Sequence, residues 1–189
     1  MPKFIVINGP KKSGKDTIGN ALYSELVWRG IPAVRDKFAA PMKAAVAAFL
    51  GLDEKLALHY FENQDIKDTP SKYFLGVTPR SMLISFSEDW VKPNFGKETF
   101  GELMLHRHED KDRGVVVITD CGFNEELEPF DKSEIAVIRL KRYGTNFDGD
   151  SRGYIDRDDI LCFNVINEDS SPQDLARDIL KRLTKEGFM

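Results

Sequence analysis

The stretch KFIVINGPKKSGK, residues 3–15, decides the fold. Its first half, KFIVIN, is a short apolar run closed by Gly9, the pattern of a strand buried on both faces. Its second half has the spacing G-x-x-x-x-G-K, from Gly9 to Lys15. Beyond it, Ile18, Leu22 and Leu26 recur at helical spacing until Gly30 and Pro32 stop the pattern. A strand, a glycine-bearing turn and a helix, in that order, aim main-chain N–H groups at one point. The helix N-terminus adds partial positive charge there, so the turn can cradle an anion. Gly9, Lys12, Ser13, Gly14, Lys15 and Thr17 are therefore read as parts of a phosphate-binding loop, with Lys15 reaching the β- and γ-phosphates of a triphosphate.

Such loops usually place a hydroxyl directly after the lysine to meet magnesium, but here Asp16 stands there and Thr17 follows. A carboxylate is also a hard oxygen ligand, able to hold Mg²⁺ directly or through water. The other reading of Asp16 is a helix-start aspartate facing the dipole. Asp120 closes the apolar run VVVIT at 115–119, where a second magnesium-associated carboxylate is expected.

Working outward, AVRDKF (33–38), GVVVITDCGF (114–123), EIAVIRL (134–140) and ILCFNVI (160–166) read as further strands. Their alternation with helical segments predicts an α/β fold, a mostly parallel five-stranded sheet flanked by helices. Ligands on such sheets bind beyond the carboxyl ends of the strands, here after 8, 36, 120, 140 and 166. A single domain is expected, with a core of 1–36 and 113–189 and a helical acceptor-binding region at 37–112.

In that region Met42, Ala45, Val46, Phe49 and Leu50 predict one helix face with Gly51 as its cap, and a second helix runs from Asp53 to Glu62. A loop spans 63–77, and Thr78-Pro79 opens a helix carrying Met82, Leu83 and Phe86. KPNFG (92–96) is a turn, and another helix covers 97–111. Ser171 to Asp174 resembles a capping box opening a last helix, with Leu175, Ile179, Leu180 and Leu183 inward.

Composition narrows the function classes. The chain has 189 residues, 41% hydrophobic and 31% charged, which excludes a disordered chain. The net charge of -4 argues against nucleic acid held by bulk charge, so an anion site must come from local geometry. No apolar run approaches the roughly 20 residues of a membrane span, and MPKFIVING lacks the pattern of a signal peptide. A cytoplasmic protein without a membrane partner is expected, with Cys121 and Cys162 as buried reduced thiols. His59, His106 and His108 read as surface residues with no metal site. The acidic stretch 148–159 nearly spells a calcium loop, but Arg152 stands at a ligand position and the bidentate glutamate is missing.

A phosphate loop alone fits an ATPase, GTPase, kinase or nucleotide sensor; the absence of N-K-x-D disfavours a GTPase. Arg80, on the first turn of a helix beside free N–H groups, suits a phosphate monoester and favours a small-molecule kinase. Asp36 and Lys43 lie at a strand end and on the following helix, and Lys92 and Lys97 flank PNFG. Trp90 and Phe95 either stack on a base or pack at a rim. Arg139, Lys141, Arg142 and Arg152 surround a long polar loop, about 142–159, read as a mobile lid over the triphosphate.

SGKDT (13–17), FAAPMK (38–43), TPRSML (78–83), KPNFGKETFG (92–101), ITDCGFNEE (118–126) and VIN (165–167) together resemble the phage-type deoxynucleoside monophosphate kinases, a branch of the P-loop nucleotide kinases. The resemblance extends to the aspartate after the loop lysine, although Ala40 stands where members often carry an acidic residue. It implies a three-layer P-loop kinase fold, ATP as phosphate donor, Mg²⁺, and transfer of the γ-phosphoryl group to a deoxynucleoside 5′-monophosphate. It also implies residue roles. Lys15 and Arg142 steady the transferring group, Arg139 lies on the nucleotide, and Asp16 and Asp120 hold magnesium. Arg80, Asp36, Lys37, Phe38, Lys43, Trp90 and Lys92 line the acceptor, and Asn167 lies where relatives contact adenine. A phage-encoded member would work in the host cytoplasm on small-molecule nucleotides, and a homodimer is compatible with it. Two alternatives stand beside this reading: a P-loop kinase for another acceptor (a modified pyrimidine in DNA, or a coenzyme precursor), and a nucleotide-binding regulatory module without turnover.

Overall fold

Five apolar runs pair into one sheet: β1 (Lys3–Asn8), β2 (Ala33–Asp36), β3 (Val115–Ile118), β4 (Ile135–Lys141) and β5 (Leu161–Ile166). The computed structural model describes residues 1–63, 65–110, 114–168 and 170–189. Gln64 of the predicted loop, the predicted helix end at 111, and the core boundary at 112–113 lie outside them. The strand order is β2-β3-β1-β4-β5, and the pairings are parallel. The central strands are apolar almost throughout because both faces are covered. Register sets Val6 against Ile118 and Asn8 against Arg139, so the carboxyl ends of β3, β1 and β4 lie side by side.

One sheet face is covered by α1 (Lys15–Trp28) and α7 (Pro172–Lys185). Ile18, Leu22 and Leu26 of α1 and Leu175, Ile179, Leu180 and Leu183 of α7 are buried against Ile5, Ile7, Val117, Ile138 and Leu140. Each such side chain contributes about 1.5–3 kcal/mol on leaving water. Ser171 caps α7, its hydroxyl accepting the Asp174 N–H at 3.1 Å. Gly19 brings α1 close to the strand it crosses, since a Cβ there would lie 2.4 Å from Thr119 Cγ2. On the other face Phe4 meets Phe130 edge-on, and Phe130 meets Phe38.

The chain divides into two compact units, Met1–Phe38 with Gly101–Met189, and Ala39–Phe100. The second unit holds α2 (Ala40–Phe49), α3 (Glu54–Glu62), a 3₁₀ turn (Lys72–Phe74), α4 (Pro79–Ser85), a π-helical stretch (Phe86–Val91) and α5 (Lys92–Phe95). Its core is Val46, Ala47, Phe61 and Phe74, with Met82, Leu83 and Phe86 against it.

Phe49 departs from expectation: it is 76% exposed. The buried face is set by Val46, Ala47 and Leu50, and at 3.6 residues per turn Phe49 points about 100° away from it. KPNFG is a helical turn ended by Gly96, whose φ of +104° suits glycine, and α6 (Thr99–His108) starts two residues later than 97. Cys121 is buried, Cys162 half-buried, and both are free thiols. Among the described residues no helix is long and apolar enough to cross a membrane.

Candidate active site

The loop after β1 curls tightly. Ser13 N–H donates to the Pro10 carbonyl at 3.2 Å and Ile18 N–H to the Gly14 carbonyl at 2.9 Å. Gly14 has φ +95°, and a Cβ there would meet Asn167 Nδ2 at 2.5 Å. Lys12 has φ +66°, a left-handed conformation that costs a non-glycine residue about 1–2 kcal/mol. At Gly9 a Cβ would sit 2.6 Å from the Leu140 carbonyl oxygen, so the loop lies directly on β4. Asn167 braces it from the end of β5: its Nδ2 donates to the Ser13 carbonyl at 2.7 Å, and its N–H to the Lys141 carbonyl at 2.7 Å. The side-chain amide expected to meet adenine is thus engaged with the loop. The Ser13 hydroxyl is buried without a hydrogen-bond partner among the described residues, and Thr17 is exposed.

Lys15 folds onto its own loop, donating from Nζ to the Pro10 carbonyl at 2.7 Å. Burial lowers its pKa to about 8; Arg152 adds to the drop, while Asp16, Asp150 and Asp120 oppose it. Asp16 accepts the Thr119 hydroxyl at 2.7 Å, and Lys37 Nζ lies 3.9 Å from the same oxygen. Asp120 Oδ1 accepts the Phe38 N–H at 2.9 Å. Two carboxylates beside the loop lysine, Asp16 in the first turn of α1 and Asp120 just past β3, form the hard-oxygen set that Mg²⁺ takes with substrate phosphates and water, so these residues fit that ion.

The basic residues of the long polar loop divide in role. Arg142 Nη1 lies 3.4 Å from the Lys12 carbonyl, beside the phosphate loop. Arg139 instead faces the later part of the polar loop, 3.4 Å from the Ile155 carbonyl and 3.8 Å from Asp156. Arg152 is held by Asp150 at 2.9 and 2.6 Å and packs over Gly122.

The lid expected at 142–159 is fastened over its second half. Asn8, fully buried at the end of β1, donates to the carbonyls of Cys121 and Gly153 at 3.0 Å and accepts the Ile155 N–H at 3.0 Å. Arg157 binds Asp159 and Glu128, and Lys132 binds Asp159.

Asp36 is not presented to a ligand as expected. Its Oδ2 accepts Arg107 Nε at 3.0 Å and lies 2.8 Å from His108 Nε2, while its Oδ1 accepts the Lys37 N–H at 2.7 Å. Burial opposes ionisation there, but the Arg107, His108 and Lys37 hydrogen bonds outweigh it and hold the carboxyl below its usual range. His108 is consequently 3% exposed rather than a surface residue, because Asp36 supplies the polar partner that allows its burial. His59 and His106 are exposed.

In the second unit the expected acceptor residues have partners of their own. Arg80 pairs with Asp68. The N–H groups at the start of α4 are not free: Arg80 N–H donates to the Lys67 carbonyl, and Ser81 N–H to Thr78 Oγ1 in a capping box. Lys43 pairs with Glu62 at 2.5 Å and Lys92 with Glu88 at 2.7 Å. Trp90, 52% exposed, packs between Phe86 and Phe95 with ring centroids 5.1 and 5.5 Å away.

The structure thus gathers Gly9, Lys12, Ser13, Gly14, Lys15, Asp16, Lys37, Asp120, Arg142 and Asn167 at one edge of the first unit. Thr119, Asn8 and Arg107 belong with them and escaped the sequence reading. Asn8 left a readable signal, a polar side chain ending an otherwise apolar buried strand; Arg107 left none, its partner lying 71 residues away.

No protein-family profile matches the chain. Among solved structures, a sugar kinase from Janibacter sp. HTCC2649 superposes with a TM-score of 0.50 at 12% identity, over 97% of this chain and 95% of its own. The Mycobacterium tuberculosis APS kinase superposes at 0.49 and 11% identity, over 97% of each chain. The parallel sheet, its order and the loop after β1 define a P-loop kinase fold. A protein of Acanthamoeba polyphaga mimivirus named "Putative deoxynucleotide monophosphate kinase" is 25% identical over 175 residues, 86% of each chain.

Proposed function

We propose that this chain is an ATP- and Mg²⁺-dependent kinase that transfers the γ-phosphoryl group to a deoxynucleoside 5′-monophosphate. The observation that carries the reading is the phosphate loop with Lys15, set beside Asp16 in the first turn of α1 and Asp120 just past β3. The mimivirus relative and the matching segments from SGKDT to VIN support the acceptor class.

In this reading the loop amides and Lys15 bind the β- and γ-phosphates, and Lys15 leaves the Pro10 carbonyl to reach them. Asp16 and Asp120 would hold Mg²⁺, which neutralises charge shared by the two phosphates. Arg142, already beside Lys12, adds positive charge to the transferring group. Arg80 of the second unit exchanges Asp68 for the acceptor phosphate, and Lys43, Lys92 and Trp90 line the acceptor. The attacking phosphate oxygen is already ionised, so no general base is required. Catalysis is positioning and electrostatics.

A coupled ADP-release assay across deoxy- and ribonucleoside monophosphates, hydroxymethylated pyrimidines and DNA tests this. Diphosphate formation from deoxynucleoside monophosphates, lost by orders of magnitude in Lys15→Ala and Arg80→Ala, is the expected result. Labelled DNA with unlabelled monophosphates, or tight ATP binding with no transfer, would overturn it.

A further inference from the structure

Arg107 ties the distant 36–37 segment to its own helix. Its Nε donates to Asp36 Oδ2 at 3.0 Å, its Nη2 to the Lys37 carbonyl at 3.0 Å, and its Nη1 to the Leu103 carbonyl at 3.1 Å. His108 adds a second contact to the same Asp36 oxygen. The next residues along the chain touch both carboxylates of the phosphate site: Lys37 Nζ lies 3.9 Å from Asp16, and Phe38 N–H donates to Asp120. The Phe38 ring is 1% exposed and packed on Phe130, so this segment has little room to shift. Hydrogen bonds from the end of α6 to Asp36 and Lys37, and from the adjoining Phe38 to Asp120, thus link α6 to Asp120 through two successive residues.

We infer that Arg107 is a positioning residue for the metal–nucleotide site, setting the Lys37–Phe38 segment and through it the orientation of Asp120 and the partner of Asp16. The inference rests on the phosphoryl-transfer reading. A planar guanidinium meets the carboxylate and the neighbouring carbonyl from separate nitrogens in one fixed fork, whereas an ammonium, a single rotatable nitrogen on a shorter reach, does not hold that geometry. Partners of metal-holding carboxylates tune affinity by fixing ligand direction, without touching the metal.

The test compares wild type with Arg107→Lys, Arg107→Gln, Asp36→Asn and, as a control just past the C-terminal end of α1, Arg29→Ala. Mn²⁺ binding in the presence of AMPPNP is read by electron paramagnetic resonance, metal-free AMPPNP binding by calorimetry, and phosphoryl transfer as a function of Mg²⁺. Arg107→Lys should weaken Mn²⁺ binding and raise the half-saturating Mg²⁺ by roughly tenfold, the scale of such outer contacts. Metal-free AMPPNP should bind as to wild type, and Arg29→Ala should change nothing. Wild-type metal dependence in Arg107→Lys would overturn the inference, as would an equal loss of metal-free nucleotide binding. Should the Arg107 variants fail to fold, unchanged Mn²⁺ binding in Asp36→Asn would overturn it equally. If the wild type transfers no phosphate, the functional reading falls, while the Mn²⁺ measurement still decides the role of Arg107.

Discussion

ATP binding near pH 8 should take up protons, and the amount follows from Lys15. Burial, with Arg152 beside it, brings this lysine to a pKa of about 8 in the unliganded chain. At pH 8 half of the molecules therefore carry a neutral Lys15. A triphosphate in the loop places several negative charges against Nζ and returns the pKa toward or above its ordinary value. Uptake should then be about 0.1 proton per nucleotide at pH 7, about 0.5 at pH 8 and about 0.9 at pH 9, the neutral fraction at each pH. Because the bound state holds more protons, affinity falls as pH rises through 8. Calorimetric titration of AMPPNP with Mg²⁺, in buffers of differing ionisation enthalpy, reads the proton number as a slope. Lys15→Met should remove the rise between pH 7 and 9. A flat uptake in the wild type, or the same rise in Lys15→Met, would refute the assignment of the shifted group and its contact with phosphate.

Four further outcomes are expected. Asn8→Ala removes three hydrogen bonds between β1 and the segments at 121 and 153–155, and urea unfolding should show a loss of about 2–4 kcal/mol, with earlier proteolysis in that loop. Glu126 is buried with its pKa raised to about 7, chiefly by desolvation, so the folded state holds its proton more tightly than the unfolded chain between about 4.5 and 7. Stability relative to Glu126→Gln should fall across that window by roughly 3 kcal/mol and stay level above it, as urea midpoints at several pH values would read. Gly19→Ala drives a methyl into Thr119 and should cost about 1–3 kcal/mol in thermal unfolding while weakening nucleotide binding through Asp16. Asp68→Asn frees Arg80 from its carboxylate and should lower the KM for the acceptor monophosphate with kcat little changed; a raised KM would count against Arg80 as the acceptor anchor.

The sheet was legible because its central strands are buried on both faces. Runs such as VVVI and IAVIRL are nearly uninterrupted, and the phosphate loop sits between a strand and a helix as its spacing demands. α7 was equally plain, since Leu175, Ile179, Leu180 and Leu183 repeat at helical period behind a serine cap. What escaped was partner choice over distance. Nothing local in Asp36 says that Arg107 and His108 will occupy its carboxylate, nor does Arg80 announce Asp68. Phe49 was misjudged for a different reason: a ten-residue helix of mostly small apolar residues admits more than one face, and packing against Phe61 and Phe74 chose the one without it.

The Asn8 clamp bears on how the arginine arm can work. Ordering a residue costs about 1–2 kcal/mol of conformational entropy, and residues 153–159 are held by the Asn8 hydrogen bonds and the Arg157 ion pairs. The preceding stretch from 142 to 152 turns at Gly144 and Gly149, both at positive φ, and ends on the Arg152–Asp150 pair. With the far end of the segment fastened and Arg152 already held by Asp150 over Gly122 beside Lys15, the guanidinium stands pre-placed and needs no long search.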